Sequence, residues 1–187
     1  MSHLLDNQEK SLMERIPILE TERLILSKHE VDDFPSLARL WTTDSVTHYI
    51  TGVPSTERES WMRMLTYSGL WPLLGFGYWA LRDKKTGLYI GDLGFADFHR
   101  VVEPSVKGIP EAGWVIAPEH QGKGYATEAM RAALVWLKSQ NKHKQTICFI
   151  EPNNEASLRV AKKLGYIEDG EIFMNGELTL RFQQNLD

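Results

Sequence analysis

The stretch "APEHQGKGYATEAM", residues 117–130, constrains the fold more than any other part of this chain. It joins a run of extended character, "EAGWVIA", to one in which Ala129, Met130, Ala133, Leu134 and Leu137 recur at helical spacing. Between them, Gly122 and Gly124 flank Lys123. Glycine reaches backbone conformations closed to other residues and lets a ligand approach the main chain. The N–H groups of a first helical turn have no carbonyl partner and carry the positive end of the helix dipole. Strand, glycine loop and helix start in that order suit a diphosphate, and they equally make a tight turn with no ligand at all. Two nucleotide motifs are not met: Tyr125 follows Gly124 where G-x-x-x-x-G-K-[ST] needs Lys, and Gly122-Lys123-Gly124 runs on into Tyr-Ala-Thr rather than completing G-x-G-x-x-G.

Around this loop the periodicity predicts alternating strands and helices. In "TERLILSKH", Leu24 and Leu26 alternate with polar neighbours as in a half-buried strand, and "DDFPSLARLW" puts Leu37, Leu40 and Trp41 on one helical face behind acidic caps and a proline. Thr56 and Glu59 form a capping-box pattern, with Trp61 and Leu65 one turn apart. The segment 66–77, "TYSGLWPLLGFG", is interrupted by Gly69, Pro72, Gly75 and Gly77 and is expected to be a hydrophobic loop. An antiparallel meander follows in "YWALRD", "LYIGDLGFADFHR" and "EAGWVIA". After the glycine loop and its helix come a buried strand "QTICFIE", a capped helix "NEASLRVAKKLG" ended by Gly165, and a hairpin turning at Asn175-Gly176. Residues 1–17 are expected to form a loosely tied arm, and 18–187 a single domain.

Composition excludes several classes. A net charge of -4 with dispersed Lys and Arg offers nothing to nucleic acid or an anionic membrane. No stretch approaches the roughly 20 apolar residues of a membrane span, and "MSHLLDNQEKSLMERIP" lacks the marks of a signal peptide. The single Cys148, within "TICFIE", reads as a small buried side chain. A cytoplasmic protein, monomer or homodimer, is expected. The six histidines, His120 included, show no metal spacing, and no metal is expected.

The run Gln121-Gly122-Lys123-Gly124-Tyr125-Ala126 resembles the Q/R-x-x-G-x-G/A signature of the GNAT acetyltransferase superfamily, placed between a strand and a helix as in that family. Downstream, "NNEASLRVAKKLGY" is similar to the N-x-x-S and L-G-F/Y pattern of the branch related to RimJ and RimL, the N-terminal acetyltransferases of ribosomal proteins. The resemblance spans about residues 18–184. It implies an α/β GNAT fold: a mixed, mostly antiparallel central sheet with helices on both faces and a C-terminal β-hairpin. It also implies acetyl-CoA as co-substrate, its pyrophosphate on the loop Gln121–Ala126 and its pantetheine arm on Asn154. Main-chain groups of Trp114, Val115 and Ile116 would hold the acetyl carbonyl where the strand before the loop splays from its neighbour.

Acetyl transfer to an amine needs a neutral amine, an oxyanion site and a proton for the departing thiolate. An α-amino group has a pKa of roughly 8 and a lysine roughly 10.4, so a base is useful. Glu111, in "EAGWVI", matches the A-E-x-G-Y/W arrangement of the RimJ/RimL branch and is the candidate base; its alternative is a solvated strand-start carboxylate. Many GNAT enzymes carry a tyrosine seven residues after the asparagine, where this chain has Ala161, so Ser157 is the candidate proton donor, as against a structural first-turn serine. Asn154 also fits a helix cap. Tyr166 reads as core packing, and Arg159 and Lys163 as a solvated helix face near the CoA 3′-phosphate. The acceptor is then a protein N-terminus, by the branch resemblance, or a small amine such as an antibiotic, a polyamine or an amino acid. A CoA-binding sensor without turnover is the rival class, raised by Ala161.

Overall fold

Alternation settles which side of each strand is buried. The computed structural model describes residues 16–174 and 176–186. Strands β1 (Leu19–Glu20), β2 (Leu24–Ser27), β3 (Tyr78–Asp83), β4 (Tyr89–Ala96) and β5 (Glu111–Ile116) form an antiparallel run, β6 (Gln145–Ile150) lies parallel to β5, and the hairpin β7 (Ile167–Met174) and β8 (Glu177–Asn185) completes one eight-stranded sheet in the order β1-β2-β3-β4-β5-β6-β8-β7. Leu24, Leu26, Trp79, Leu81, Leu93 and Phe95 face one side, and Tyr78, Ala96 and Val115 the other, as period-two side chains must.

Each face is covered by helices. On the first pack α4 (Tyr125–Ser139), through Ala129, Met130, Ala133 and Leu137, and α5 (Glu155–Leu164), through Ala161 and Leu164. On the second pack α1 (Phe34–Thr42) and α3 (Glu57–Leu74), with the short α2 (Asp44–Thr47) between them. The expected mixed, mostly antiparallel sheet with helices on both faces and a closing hairpin is therefore observed, with Gly176 in the left-handed region at the turn. Asn175 and most of the expected arm, residues 1–15, lie outside the described residues. Of that arm, Pro17 accepts a hydrogen bond from Trp79 Nε1 at 2.7 Å and Ile16 packs on the core.

One expectation fails. Residues 66–74 are not a loop but the second half of α3. The capping box at Thr56 and Glu59 starts the helix as expected, and Gly75, with φ of 77°, ends it by donating to Trp71 O at 2.9 Å. Pro72 is tolerated because it sits exposed in the last turn, where only one backbone bond is lost. Tertiary packing supplies the rest: Tyr67, Leu70 and Trp71 are buried, and Trp71 Nε1 donates to Tyr78 O at 3.0 Å. The inward face also shifts, to Met64 at 4% exposure, while Leu65 is 47% exposed. Accordingly, Met64→Ala should lower unfolding free energy by about 2–5 kcal/mol, and Leu65→Ala should stay within about 0.5 kcal/mol, both measured by urea denaturation; the reverse order would restore the expected face.

Candidate active site

Strands β5 and β6 share one residue pair, Glu111 with Ile147, and Ile147 N–H donates to Pro110 O at 3.1 Å. Beyond that point they diverge, although each has six residues. On its other edge β5 stays paired with β4 from Ala96–Glu111 to Gly91–Ile116, and Ala117 N–H donates to Ile90 O at 2.9 Å. Main-chain groups alternate along an antiparallel strand. Val115 therefore turns its main chain toward β4, whereas Ala112, Trp114 and Ile116 turn theirs into the gap. Of the three residues expected to offer main-chain contacts, Val115 is thus differently placed, and the Ile116 carbonyl already accepts from Gln121 Nε2 at 2.9 Å.

The gap opens into a cavity of about 670 Å³. Glu111, Trp114, Val115, Asn154 and Ser157 line it, so the structure gathers the two candidate catalytic residues and three of the candidate binding residues on one hollow. Ile116, the last residue of β5, and the loop Gln121–Ala126 beyond it lie outside the cavity lining. Asn154 caps α5 by accepting from Ser157 N–H at 3.1 Å, which leaves its amide nitrogen for another partner. The Ser157 side chain is half-buried. Ala161 and Tyr166 are core residues, and the Tyr166 hydroxyl lies 3.3 Å from Thr146 Oγ1, with burial pushing its pKa well up. Arg159 is exposed and pairs with Glu155 at 3.1 Å.

Glu111 is 8% exposed and bound bidentately by Arg100, with Nε to Oε2 at 2.6 Å and Nη2 to Oε1 at 2.7 Å. Burial works against the Arg100 charge, but the bonds to Glu111 outweigh it and hold the guanidinium protonated. Sequence reasoning missed Arg100, which stands 11 residues away in an irregular segment. It also missed Tyr78, whose hydroxyl lies so close to Gly113 that a Cβ there would come within 2.0 Å of it. Burial, then the neighbouring Tyr67 and Glu111, push that phenol's pKa far above its ordinary value. Tyr67 stacks on Tyr78 with ring centres 4.3 Å apart, and both line the cavity.

At the other end of β5, Gly122 and Gly124 take φ of 72° and 82°, which only glycine adopts without strain. No atom lies within 4 Å of a Cβ built on Gly122, so the main chain is open to an incoming group. The first helical bond of α4 runs from Glu128 N–H to Gly124 O, leaving the amides of Tyr125, Ala126 and Thr127 directed forward. These features fit a diphosphate, and the loop from Gln121 to Ala126 would hold it.

A buckle from the turn between β1 and β2 fixes this loop. Glu128 Oε1 accepts from Thr21 Oγ1 at 2.6 Å and Arg23 N–H at 2.9 Å, and Oε2 from Arg23 Nε at 2.7 Å. Arg23 Nη1 donates to Lys123 O at 2.9 Å, and its guanidinium covers the Tyr125 ring at 4.5 Å. Residues more than 100 positions apart make this contact, which no local pattern announces.

A family model described as "Acetyltransferase (GNAT) domain" matches residues 23–167. The chain belongs to the GNAT acetyltransferase family. It is similar to the uncharacterized N-acetyltransferase YoaA of Bacillus subtilis, 28% identical over 82% of this chain and 85% of that one. A match to YkkB of the same organism is 34% identical over 93 residues, about half of each chain (49% of this one, 51% of the other). Among solved structures, one from Bordetella pertussis assigned to the GNAT family superposes with a TM-score of 0.78 at 27% identity, covering 90% of this chain and 99% of that one. GNAT acetyltransferases use acetyl-CoA, and this chain is an acetyl-CoA-dependent acetyltransferase. Among the described residues, no group of three or more His, Cys, Asp or Glu could hold a metal ion, and no helix is long and apolar enough to cross a membrane.

Burial alone would raise the Glu128 pKa, but the hydrogen bonds from Thr21 and Arg23 and the Arg23 charge together hold it below its ordinary value of 4.5. A depressed carboxylate contributes stability above its unfolded pKa and loses it as pH falls through the folded one. The stability advantage of wild type over Glu128→Gln should therefore be full above about pH 4.5 and shrink below it. Denaturation curves at several pH values check this; an advantage that grew as pH fell would contradict the ion pair.

Proposed function

We propose that this GNAT enzyme transfers acetyl from acetyl-CoA to a primary α-amine by direct attack in a ternary complex, without a covalent enzyme intermediate. The observation that carries the reading is the β5/β6 gap, which joins the glycine loop at one end of β5 to the cavity lined by Glu111, Trp114, Asn154 and Ser157 at the other. In this reading the loop Gln121–Ala126 holds the pyrophosphate, with Arg23 fixing its shape. The Asn154 amide steadies the pantetheine arm, and the main chain of Trp114 faces the acetyl carbonyl. Free backbone donors aimed at a developing oxyanion act strongly in a water-poor site.

The amine nitrogen attacks the thioester carbon, its surplus proton leaves toward Glu111, and the C–S bond breaks as the thiolate takes a proton from Ser157, whose hydroxyl is restored from solvent while Glu111 releases its proton there. Both Glu111 oxygens accept from Arg100, so taking the amine proton requires Glu111 to share or release one of those bonds. A bound water between amine and carboxylate meets the same need. The RimJ/RimL-like pattern at Asn154 and Ser157 supports an α-amino acceptor, either a protein N-terminus or a free small molecule.

Two variants test these roles. Glu111→Gln should bind acetyl-CoA but lose most activity at low pH, where free amine is scarcest, and recover as pH rises toward 9 because solvent then supplies neutral α-amine. A loss equal at every pH would assign Glu111 to orientation through Arg100. Ser157→Ala should reduce kcat by about 10- to 100-fold with acetyl-CoA affinity kept; a kcat equal to wild type would remove Ser157 as the proton donor. Stopped assays for free thiol and calorimetry supply both readouts.

A further inference from the structure

The wall of the cavity opposite α5 carries a second cation besides Arg100. Arg63, on α3, lines the cavity and lays its guanidinium flat on Trp41, with Cζ 3.5 Å from the ring centre. Its polar contacts are few, a side-chain hydrogen bond with the Tyr67 hydroxyl among them. Nη2 reaches Ser55 Oγ only at 3.5 Å, and Nε is buried with no protein acceptor. Among the described residues no carboxylate lies within ion-pairing distance of it, whereas Arg23, Arg82, Arg100, Arg159 and Arg181 all have one.

Four of the nearby acids are already committed, and Glu177, which also lines the cavity, lies beyond ion-pairing distance of Arg63. Glu59, one helical turn earlier, feels the Arg63 charge, but its carboxylate is held by the Thr56 N–H and hydroxyl at 2.7 and 2.8 Å. Asp92 is fully buried and is bound by His29 Nε2 at 2.7 Å, the Tyr89 hydroxyl at 2.6 Å and Trp41 Nε1 at 3.4 Å. Glu111 is bound on both oxygens by Arg100. Glu151 is occupied by Asn153 at the far rim. The Tyr67 hydroxyl neighbours Arg63 and, being deeply buried, stays protonated.

A guanidinium is a rigid fork of five donors that matches a carboxylate, and leaving its buried Nε–H without an acceptor is costly. We infer that Arg63 recognises a carboxylate on the acceptor, so that the substrate of this enzyme is an amine bearing a carboxylate a few atoms away. Arg63 stands one aromatic layer behind Tyr78, and Tyr78 touches Gly113 beside Glu111. An acceptor lying along the Tyr67–Tyr78 wall thus meets a cation at its acidic end and Glu111 at its amine end. Trp41 covers one face of the guanidinium. The inference rests on the acetyl-transfer reading above and names its substrate class. The carboxylate can be the α-carboxylate of a free amino acid or the side chain of an acidic residue next to a peptide's N-terminus.

The test sets matched acceptors side by side with wild type, Arg63→Met and Arg63→Lys. One arm compares leucine, methionine and phenylalanine with their carboxamides; the other compares Ser-Asp and Ser-Asn dipeptide amides. Rates are expressed per free amine, since carboxamides are the less basic. Wild type should favour the carboxylate member in one arm by about 10- to 100-fold in kcat/KM, the range of a charge-assisted hydrogen bond. That ratio should fall to about one in Arg63→Met and to an intermediate value in Arg63→Lys, which keeps charge but loses the fork. The first arm responding identifies a free amino acid, and the second a peptide terminus. A wild-type ratio near one in both arms, or a ratio that survives Arg63→Met, overturns the inference.

Acetyl-CoA calorimetry on each variant establishes that it is folded, and Arg63→Lys carries the comparison should Arg63→Met fail that check. If acetyl-CoA binds yet no amine is acetylated, the transfer reading fails by itself. The carboxylate preference is then read from calorimetry of N-acetylleucine against N-acetylleucinamide on the CoA-saturated protein. Tighter binding of the acid that is lost on substituting Arg63 supports the inference; equal or absent binding rejects it.

Discussion

Everything in this active site follows from one break in the sheet. A parallel pair normally continues residue by residue, yet β5 and β6 meet at Glu111 and Ile147 and then part. Parting leaves backbone groups of Trp114 and Ile116 without strand partners, and buried main-chain groups need partners from somewhere. Gln121 satisfies the Ile116 carbonyl. The main chain of Trp114 faces the cavity. The same divergence carries the chain out of β5 into the glycine loop, so the loop and the cavity are reached from one strand.

Holding that break open requires firm edges. Beneath it, Thr146 Oγ1 donates to Pro110 O at 2.7 Å, which pins β6 to the start of β5 at the last point of contact. On the far side, β5 stays in register with β4 along its whole length, and Gly113 is small enough to admit the Tyr78 hydroxyl. Beyond the loop, Arg23 ties α4 back to the turn between β1 and β2 through Glu128.

Charge in this interior is kept paired. Asp92 binds a histidine, a tyrosine and a tryptophan, Glu111 an arginine, and Asp33, 5% exposed, accepts from Arg82 at 2.7 Å. Removing one member of such a set strands the other in a poor solvent for ions, which costs more than the pair contributes as a unit. Arg63 departs from this pattern on a wall that an acceptor would face.

Local order was legible from the residues alone. The period of two in "LILS", the period of 3.6 after Gly124, the capping box at Thr56 and the glycines at 122, 124 and 165 each act within a few bonds of where they stand, so each announced its element. The Gln121–Ala126 signature placed the chain in its family for the same reason: a glycine loop between a strand and a helix is a local object. Residues 66–74 misled because breakers are also local, whereas the burial of Tyr67, Leu70 and Trp71 that overrides them is not. Glu111 and Ser157 could be named in advance but not shown to share a cavity. Arg63, Tyr78, Arg100 and the Arg23–Glu128 buckle had no signal, since their meaning lies in partners supplied by other elements. The sequence determined the elements, their order and the loop; tertiary structure alone decided which side chains face the gap and which of their charges remain unspent, because those depend on distances through space that chain separation does not encode.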